Sequence, residues 1–414
     1  MSAFSIPLSG LAGSSDSLNV IANNLSNLNT NGYKTENLDF ADVFNQMQGV
    51  SGNGDPIQIG SGVKLAGQIA DYTNGSVSAT GIASNMALQG NGFFVVQNTT
   101  NGQESFTRDG TFSVNSQGEL CTATGQLVMG FPAINGVVSS SSALAPINVA
   151  QSANNPAAQT STFSIDANLN AGAAVGDTFS TPLTVYDSLG TQQTLTVTFT
   201  NTATGAWKYN ITLPASATGG TGAPTSLASG NMTFDSSGNL TSPASPITGI
   251  NIAGLADGAA NMSLNWTIKG NGGTSLITQQ TGTSATTSTY QNGYGVGTLT
   301  GYSVLSDGTV QGQFSNNQTM ALGRVAIASF ANNQGLTQLG NNDMQATFSS
   351  GSAVIGQAGA GGNGTITGGA VEESNVNLST EFADMIVAQQ SYDANAKVLT
   401  TMNQVSQATI QMIQ

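Results

Sequence analysis

Hydrophobic periodicity changes twice along this 414-residue chain, from helical at the N-terminus to period two through the middle and back to helical at the C-terminus. A chain patterned in this way has to bring its ends together or leave two apolar stripes uncovered. After Pro7, which suits a first helical position, apolar residues recur at Leu11, Leu18, Ile21, Leu25 and Leu28. Ser14 fills the gap, so the steps alternate between three and four until Asn31-Gly32, a helix stop or tight turn. At the other end Glu372-Glu373-Ser374-Asn375 precedes a second helical pattern. One stripe runs through Leu378, Phe382, Met385, Gln389, Tyr392, Ala396 and Leu399, and its neighbour through Val398, Met402, Val405, Thr409 and Met412. A continuous helix over 376–414 would be about 58 Å long.

Chain ends fray unless something holds them, yet here they carry the most regular helical pattern of the sequence. Their polar faces hold little charge: Asp16 in the first stretch, and Glu381, Asp384, Asp393 and Lys397 in the last. The economical reading is a pair of terminal helices that bury faces against each other and against other copies of the chain. The candidate subunit-interface residues are Leu11, Leu18, Ile21, Leu25, Leu28, Leu378, Phe382, Met385, Tyr392, Leu399 and Met402. The bland alternative is a helical hairpin packed on its own domain.

In the middle, Leu195, Val197 and Phe199 alternate with threonines, and Trp207, Tyr209, Ile211 and Leu213 alternate again after a turn at 201–206. Met262, Leu264, Trp266 and Ile268 form a further alternating strand. Short strands with turn signals at Asp187-Ser-Leu-Gly190, Asp235-Ser-Ser-Gly238, Asp307-Gly308 and Asn332-Asn333 predict antiparallel sandwiches or barrels. The expected fold is therefore mainly β with α-helical termini. The paired helices form a coiled-coil-like inner layer, and β domains are nested between them. Low-complexity stretches set the divisions: 1–28 with 376–414 helical, 29–70 with 363–375 connecting, 71–148 with 286–362 a middle β domain, and 149–285 an outer β domain.

Composition removes many functions. There is no histidine and one cysteine, so no Ser-His-Asp triad, imidazole metal site, intrachain disulfide or Cys-rich cluster is available. Seven basic residues against 21 acidic ones give a net charge of −14, which offers no footprint for nucleic acid or anionic lipid. No apolar run reaches the roughly 18–20 residues of a membrane span, and the uncharged start before Asp16 does not read as a cleavable signal. Gly359-Ala-Gly361-Gly-Asn-Gly364 spells a dinucleotide fingerprint but leads into Thr365-Ile366-Thr367, with no helix start to meet a phosphate. Asp39 and Asp42 near Glu36 read as a solvated turn or intersubunit contact, and Cys121 as a small buried thiol without a base. Asn-x-Ser/Thr triplets carry no weight in so Asn- and Thr-rich a chain. No catalytic residue, metal ligand or cofactor is expected.

Three stretches resemble the bacterial flagellar rod and hook family. Ser9-Gly-Leu11 with Leu18-Asn-Val-Ile-Ala-Asn-Asn-Leu-Ser-Asn27 and Thr30-Asn-Gly-Tyr-Lys34 is similar to its N-terminal signature. Gly90-Asn-Gly-Phe-Phe-Val-Val96 with Phe106-Thr-Arg-Asp-Gly-Thr-Phe112 is similar to its body motif, and Glu373-Ser-Asn-Val-Asn-Leu378 with Met385-Ile-Val-Ala-Gln389 to its C-terminal one. Val185-Tyr-Asp-Ser-Leu-Gly190, inside a large central insertion, resembles the outer-domain motif of the family's longer, hook-type members rather than its shorter distal rod type. Gln390 departs from the basic residue often found there, and the segment around Gln192-Gln193 lacks a histidine. The resemblance implies a structural subunit exported unfolded by a type III apparatus, polymerising with itself under a cap into a curved, flexible extracellular tube at the basal body. Its implied neighbours are rod, hook-cap and hook–filament junction proteins, and its implied task is to pass motor torque to the filament as a universal joint. A secreted β-sandwich adhesin would explain the Thr-rich middle but not the terminal helices. A carboxylate-dependent glycosidase lacks an aromatic-flanked acid pair.

Overall fold

A computed structural model describes residues 4–43, 46–51, 56–150 and 154–413. The chain forms two compact units, one from 1–150, 301–312 and 320–414, the other from 151–300 and 313–319.

The first unit holds both helices. α1 (Ser5–Ser26) begins two residues before Pro7, which still falls in the first turn, where no intrahelical donor is needed. α1 ends at Ser26 instead of reaching Asn31-Gly32, because the Asn27 side chain folds back onto the Asn23 carbonyl at 3.0 Å and accepts from the Thr30 hydroxyl at 3.1 Å. Leu28 thus sits in a turn, outside the helix. α2 (Leu378–Ile413) has 36 residues and spans about 54 Å. Asn377 caps it by accepting from the backbone N–H groups of Ser379 and Thr380 at 3.0 and 3.3 Å.

The β body of this unit is built around Phe93–Gln97, which pairs antiparallel with Glu104–Thr107, with Leu127–Ile134 and, at its N-terminal end, with Thr319–Ser329. Both faces of that strand are covered. Phe94 and Val96 join Met86, Leu88, Phe112 and Ile327 on one side, while Phe93 and Val95 join Phe106, Phe131 and Met344 on the other. That two-sided burial accounts for the unbroken Phe-Phe-Val-Val run. Within the connecting region, Glu36–Asp42 pairs with Val63–Ala70 as a two-stranded ribbon with a bulge at Asp39/Phe40.

The second unit has two sheets. One is ordered Thr178–Tyr186, Gln192–Ala203, Ala206–Leu213, Thr225–Phe234, Leu240–Ser242 and is antiparallel throughout. The other centres on Thr162–Asn170, which pairs antiparallel with Ala285–Gln291 but parallel with Met262–Thr267 and Ile277–Gln280. The parallel pairs depart from the expected all-antiparallel pattern. The long excursion through the first sheet returns the chain running the same way as the strand it left, so no tight hairpin dictates direction there. Inward residues of both sheets share one core, in which Trp266 stacks on Phe163 with ring centres 5.8 Å apart and meets Tyr209 edge-on at 5.4 Å. The chain enters and leaves this unit side by side, since the backbones of Ala158 and Tyr294 exchange hydrogen bonds of 3.0 and 2.9 Å.

Trp207 and Trp266 are the chain's two tryptophans and both lie in this core, so tryptophan fluorescence reports on the second unit alone. Trp266→Ala is expected to cost about 3–5 kcal/mol, read from the Trp207 signal during denaturant unfolding. A loss under about 1 kcal/mol would contradict the packing described.

Candidate assembly site

The three signature stretches meet at one buried point. Lys34, at the end of the N-terminal motif, places its Nζ 2.6 Å from Oε1 of Glu372, beside the C-terminal motif. Arg108 of the body motif reaches the other oxygen, Oε2, at 3.3 Å and lies over the Phe93 ring at 5.3 Å. All three side chains are closed off from solvent. The remaining polar atoms are largely matched: Lys34 also donates to the Thr73 carbonyl at 2.7 Å, Arg108 to the Gly90 carbonyl at 2.7 Å, and Glu372 accepts from the Gly75 N–H at 2.9 Å. Burial pulls the Lys34 and Arg108 cations below their ordinary pKa values, and Glu372 opposes that shift in both. The chain turns here on Gly32, with φ of +70°, and its N–H bonds the Glu372 carbonyl at 2.8 Å. A Cβ at that position would lie 2.6 Å from the Arg108 backbone carbon. Asn375 ties the same crossing by accepting from Thr35 N–H at 2.7 Å and donating to the Asp71 carbonyl at 2.8 Å.

Above this junction α1 and α2 run antiparallel. Asn24, buried, donates to Glu381 Oε1 at 3.1 Å and to the Glu36 carbonyl at 2.9 Å, and it accepts from Glu36 N–H and the Tyr33 hydroxyl, each at 3.1 Å. Fourteen residues back along α1, Gly10 lies against Asn395, fourteen residues on from Glu381, where a Cβ would come within 2.7 Å of the amide. Between these points Ser14, Ser17 and the buried Ile21 of α1 and Asp384, Ala388 and Ser391 of α2 line the space beside the pair, and a Cβ at Gly13 would come within 3.1 Å of the Phe40 ring of the ribbon. They leave a groove of about 540 Å³ against the ribbon, into which Glu36, Glu381, Asp384, Leu38 and Phe40 also face. Burial, helped by Asp384 and opposed by the Asn24 hydrogen bond, raises the Glu381 carboxyl above its ordinary range.

The candidate interface residues divide accordingly. Ile21 is buried; Leu11, Leu18, Leu25, Leu28, Met385, Leu399 and Met402 are half-buried; Leu378, Phe382 and Tyr392 are exposed, by 43, 50 and 41 %. Exposed Ile386 extends that apolar surface on α2, while Val387, Val398 and Val405 are exposed on another side of the helix. The stripe reading did not single out the small-residue seam, although the spacing Gly10, Gly13-Ser14, Ser17 displays it.

Elsewhere, Gly359–Gly364 closes the turn between the strands Val354–Gln357 and Thr365–Gly368. Asp39 and Asp42 are exposed and Glu36 is buried. Cys121 is buried with its Sγ 3.4 Å from the Ser113 hydroxyl. Among the described residues no three acidic or cysteine side chains converge as metal ligands, and no helix is long and apolar enough to cross a membrane.

Residues 7–34 match the family model described as flagella basal body rod protein, and 87–169 match the flagellar hook protein FlgE/F/G D1 domain. Residues 161–294 match the flagellar basal body protein FlaE D2 domain, and 367–412 the flagellar basal body rod FlgEFG protein C-terminal. The chain is 34% identical over 418 residues to the flagellar hook protein FlgE of Escherichia coli (strain K12), covering 97% of this chain and 98% of that one. It is 31% identical over 423 residues to the FlgE of Rhizobium meliloti (strain 1021), covering 98% and 97%. The crystal structure of Helicobacter pylori flagellar hook protein FlgE2 aligns with a TM-score of 0.47 and 14% identity, over 70% of this chain and 98% of that one.

Glu372→Gln leaves two buried cations without a counter-charge and is expected to cost the first unit about 3–5 kcal/mol, measured by hydrogen exchange across Phe93–Gln97. The tryptophan-reported transition of the second unit should stay where it is; unchanged protection in the first unit would remove the junction from its central role. Glu381 carries a separate pH signature. Its carboxyl is raised in the folded state, so its stabilising contribution is complete below the ordinary carboxylate range and is lost as pH rises through the raised value. Between pH 4 and 7 the wild type should therefore lose more helix-pair stability than Glu381→Gln, and parallel pH profiles by circular dichroism would contradict this.

Proposed function

The chain belongs to the flagellar hook protein family, as a structural subunit of the bacterial flagellar hook attached to the basal body, and we propose that its helix pair is the element through which it polymerises. One observation carries the reading: beside their contact the two helices place Ile21 among small and polar residues, and they leave Leu378, Phe382, Ile386 and Tyr392 exposed. An exposed apolar stripe of this length is left for other copies to cover. Each large side chain so covered contributes roughly 1.5–3 kcal/mol, and the contribution repeats in every subunit of the polymer. Leu11, Leu18, Leu25, Leu28, Met385, Leu399 and Met402 are half-buried and belong to the same proposed interface.

The second unit does a different job in this reading. Its sheets present threonine and serine outward, as where Ser180 and Thr198 share a hydrogen bond of 2.9 Å, and such faces form wet contacts that slide and re-form at little cost. Permanent helix contacts with exchangeable contacts between β units give a tube that bends while it turns, the property of a universal joint passing torque from rod to filament. The division into a helical layer, a connecting region, a middle and an outer β domain belongs to the same proposal, as do export through a type III apparatus and assembly with rod, cap and junction proteins.

Phe382→Asp and Tyr392→Asp change exposed positions and should leave a folded, helical subunit that builds no hooks, scored by electron microscopy of cells producing the variant. Normal hooks would refute the assignment. Excising 159–293 and joining the neighbouring Ala158 and Tyr294 with a short glycine link should leave tubes that polymerise but with altered curvature. Tubes of unchanged curvature would count against the second unit as the bending element.

A further inference from the structure

Cations are so scarce in this chain that their placement is informative. Of seven basic residues, Lys34 and Arg108 are committed to Glu372, and Arg324 pairs with Asp307 at 3.0 Å. The terminal helices hold one cation, Lys397, and no charged residue follows it. It is exposed and forms no ion pair among the described residues. Two positions past Asn395, it lies on the side of α2 turned away from the seam with α1. The groove beside that seam shows the opposite imbalance. Three acids, Glu36, Glu381 and Asp384, line it, with the Glu36 carboxylate accepting from the Gln68 and Gln338 side-chain amides, and among the described residues no cation lines it. Two of those acids, Glu36 and Glu381, are almost entirely buried, and the Glu381 carboxyl is raised by that burial. Around Glu381 the facing groups are Asn24 from α1, Tyr33 and Glu36 from the segment after it, and Asp384 on α2, none of them positive.

Building on the polymerisation reading above, we propose that the occupant of this groove is a second copy of the chain, whose Lys397 enters it and pairs with Asp384 and Glu381. Lys397 is 13 to 16 residues along α2 from those acids, so neighbouring copies with parallel helices would be staggered by about 20–24 Å. Donor and acceptor are different surfaces, so every copy gives one lysine and receives another. A head-to-tail contact of this kind propagates and does not close as a two-fold dimer. The alternative partner, Asp393 four residues before Lys397 on its own helix, is exposed, and exposed pairs of that spacing are worth only a few tenths of a kcal/mol.

The test uses the full chain with Lys397→Glu, Lys397→Glu combined with Asp384→Lys, and Lys64→Glu as a control at the other cation of the first unit that forms no ion pair among the described residues. Lys397→Glu places a fourth acid against the groove and should cut hook number by more than about tenfold, with the helical circular dichroism of the subunit unchanged. Restoring opposite charges with Asp384→Lys should bring hooks back to within about threefold of wild type, and Lys64→Glu should have no comparable effect. Wild-type assembly of Lys397→Glu, failure of the double variant to recover despite intact helicity, or an equal loss from Lys64→Glu would each overturn the pairing. If Phe382→Asp blocks assembly while Lys397→Glu does not, the pairing alone falls; if both assemble normally, the polymerisation reading falls with it.

Discussion

A carboxylate removed from water is costly unless its partners arrive with it, and the first unit is organised around one such group. Glu372 is satisfied only when Lys34 and Arg108 approach from segments 338 and 264 residues away in the chain. Neither cation alone closes the site, because each takes a different oxygen, and neither is tolerable there without the acid. The junction therefore forms when the end of the N-terminal helical segment, the β body and the start of the C-terminal helix are in place together. Gly32 and Asn375 follow from this demand. The backbone has to pass within contact distance of Arg108 at one crossing, and loose donors and acceptors have to be matched at the other.

With the bases of both helices held, the seam above them needs little adhesion of its own. Gly10 against Asn395, and Ser14 and Ser17 near Ala388 and Ser391, leave room in the pair for Ile21 but not for Phe382, Ile386 and Tyr392, which stay exposed. This reverses the usual arrangement of an amphipathic helical hairpin, in which leucines fill the middle. In the proposed reading, the stability that Phe382, Ile386 and Tyr392 would normally contribute inside a fold is realised by a neighbouring copy. A subunit designed to be complete by itself would bury those residues.

Much of this was legible in the residues. Alternation of Leu195, Val197 and Phe199 with threonine marked a sheet with one wet face, and the terminal periodicity marked the helices. Two features were not legible, for physical reasons. Stripe counting ranks positions by hydrophobicity, so it finds Ile21 but gives Ser14 only the role of a gap-filler, although both line the seam. The junction depends on three charges scattered through a chain nearly devoid of charge, and spacing along the sequence carries no signal of contacts hundreds of residues apart. The three signature stretches were visible as patterns, but that they touch through Lys34, Arg108 and Glu372 is a property of the fold. The parallel pairing of Thr162–Asn170 was hidden for a related reason: local alternation reports which face a residue occupies, not the direction in which its neighbour runs.

Scarcity of charge also explains why two kinds of surface coexist in one subunit. Long-range repulsion among copies grows with every acid added, so a chain that packs tightly against itself has reason to keep its helices nearly neutral. Solubility then has to come from uncharged polar groups, which the threonine, serine and asparagine of the β units supply. Those groups hydrogen-bond equally well to water and to a neighbouring sheet, so a contact between them is nearly isoenergetic whether open or closed. Apolar helix faces have no such freedom, because opening them exposes hydrocarbon to water. In the proposed reading, a tube built from such subunits holds at its dry helix contacts and yields at its wet β contacts.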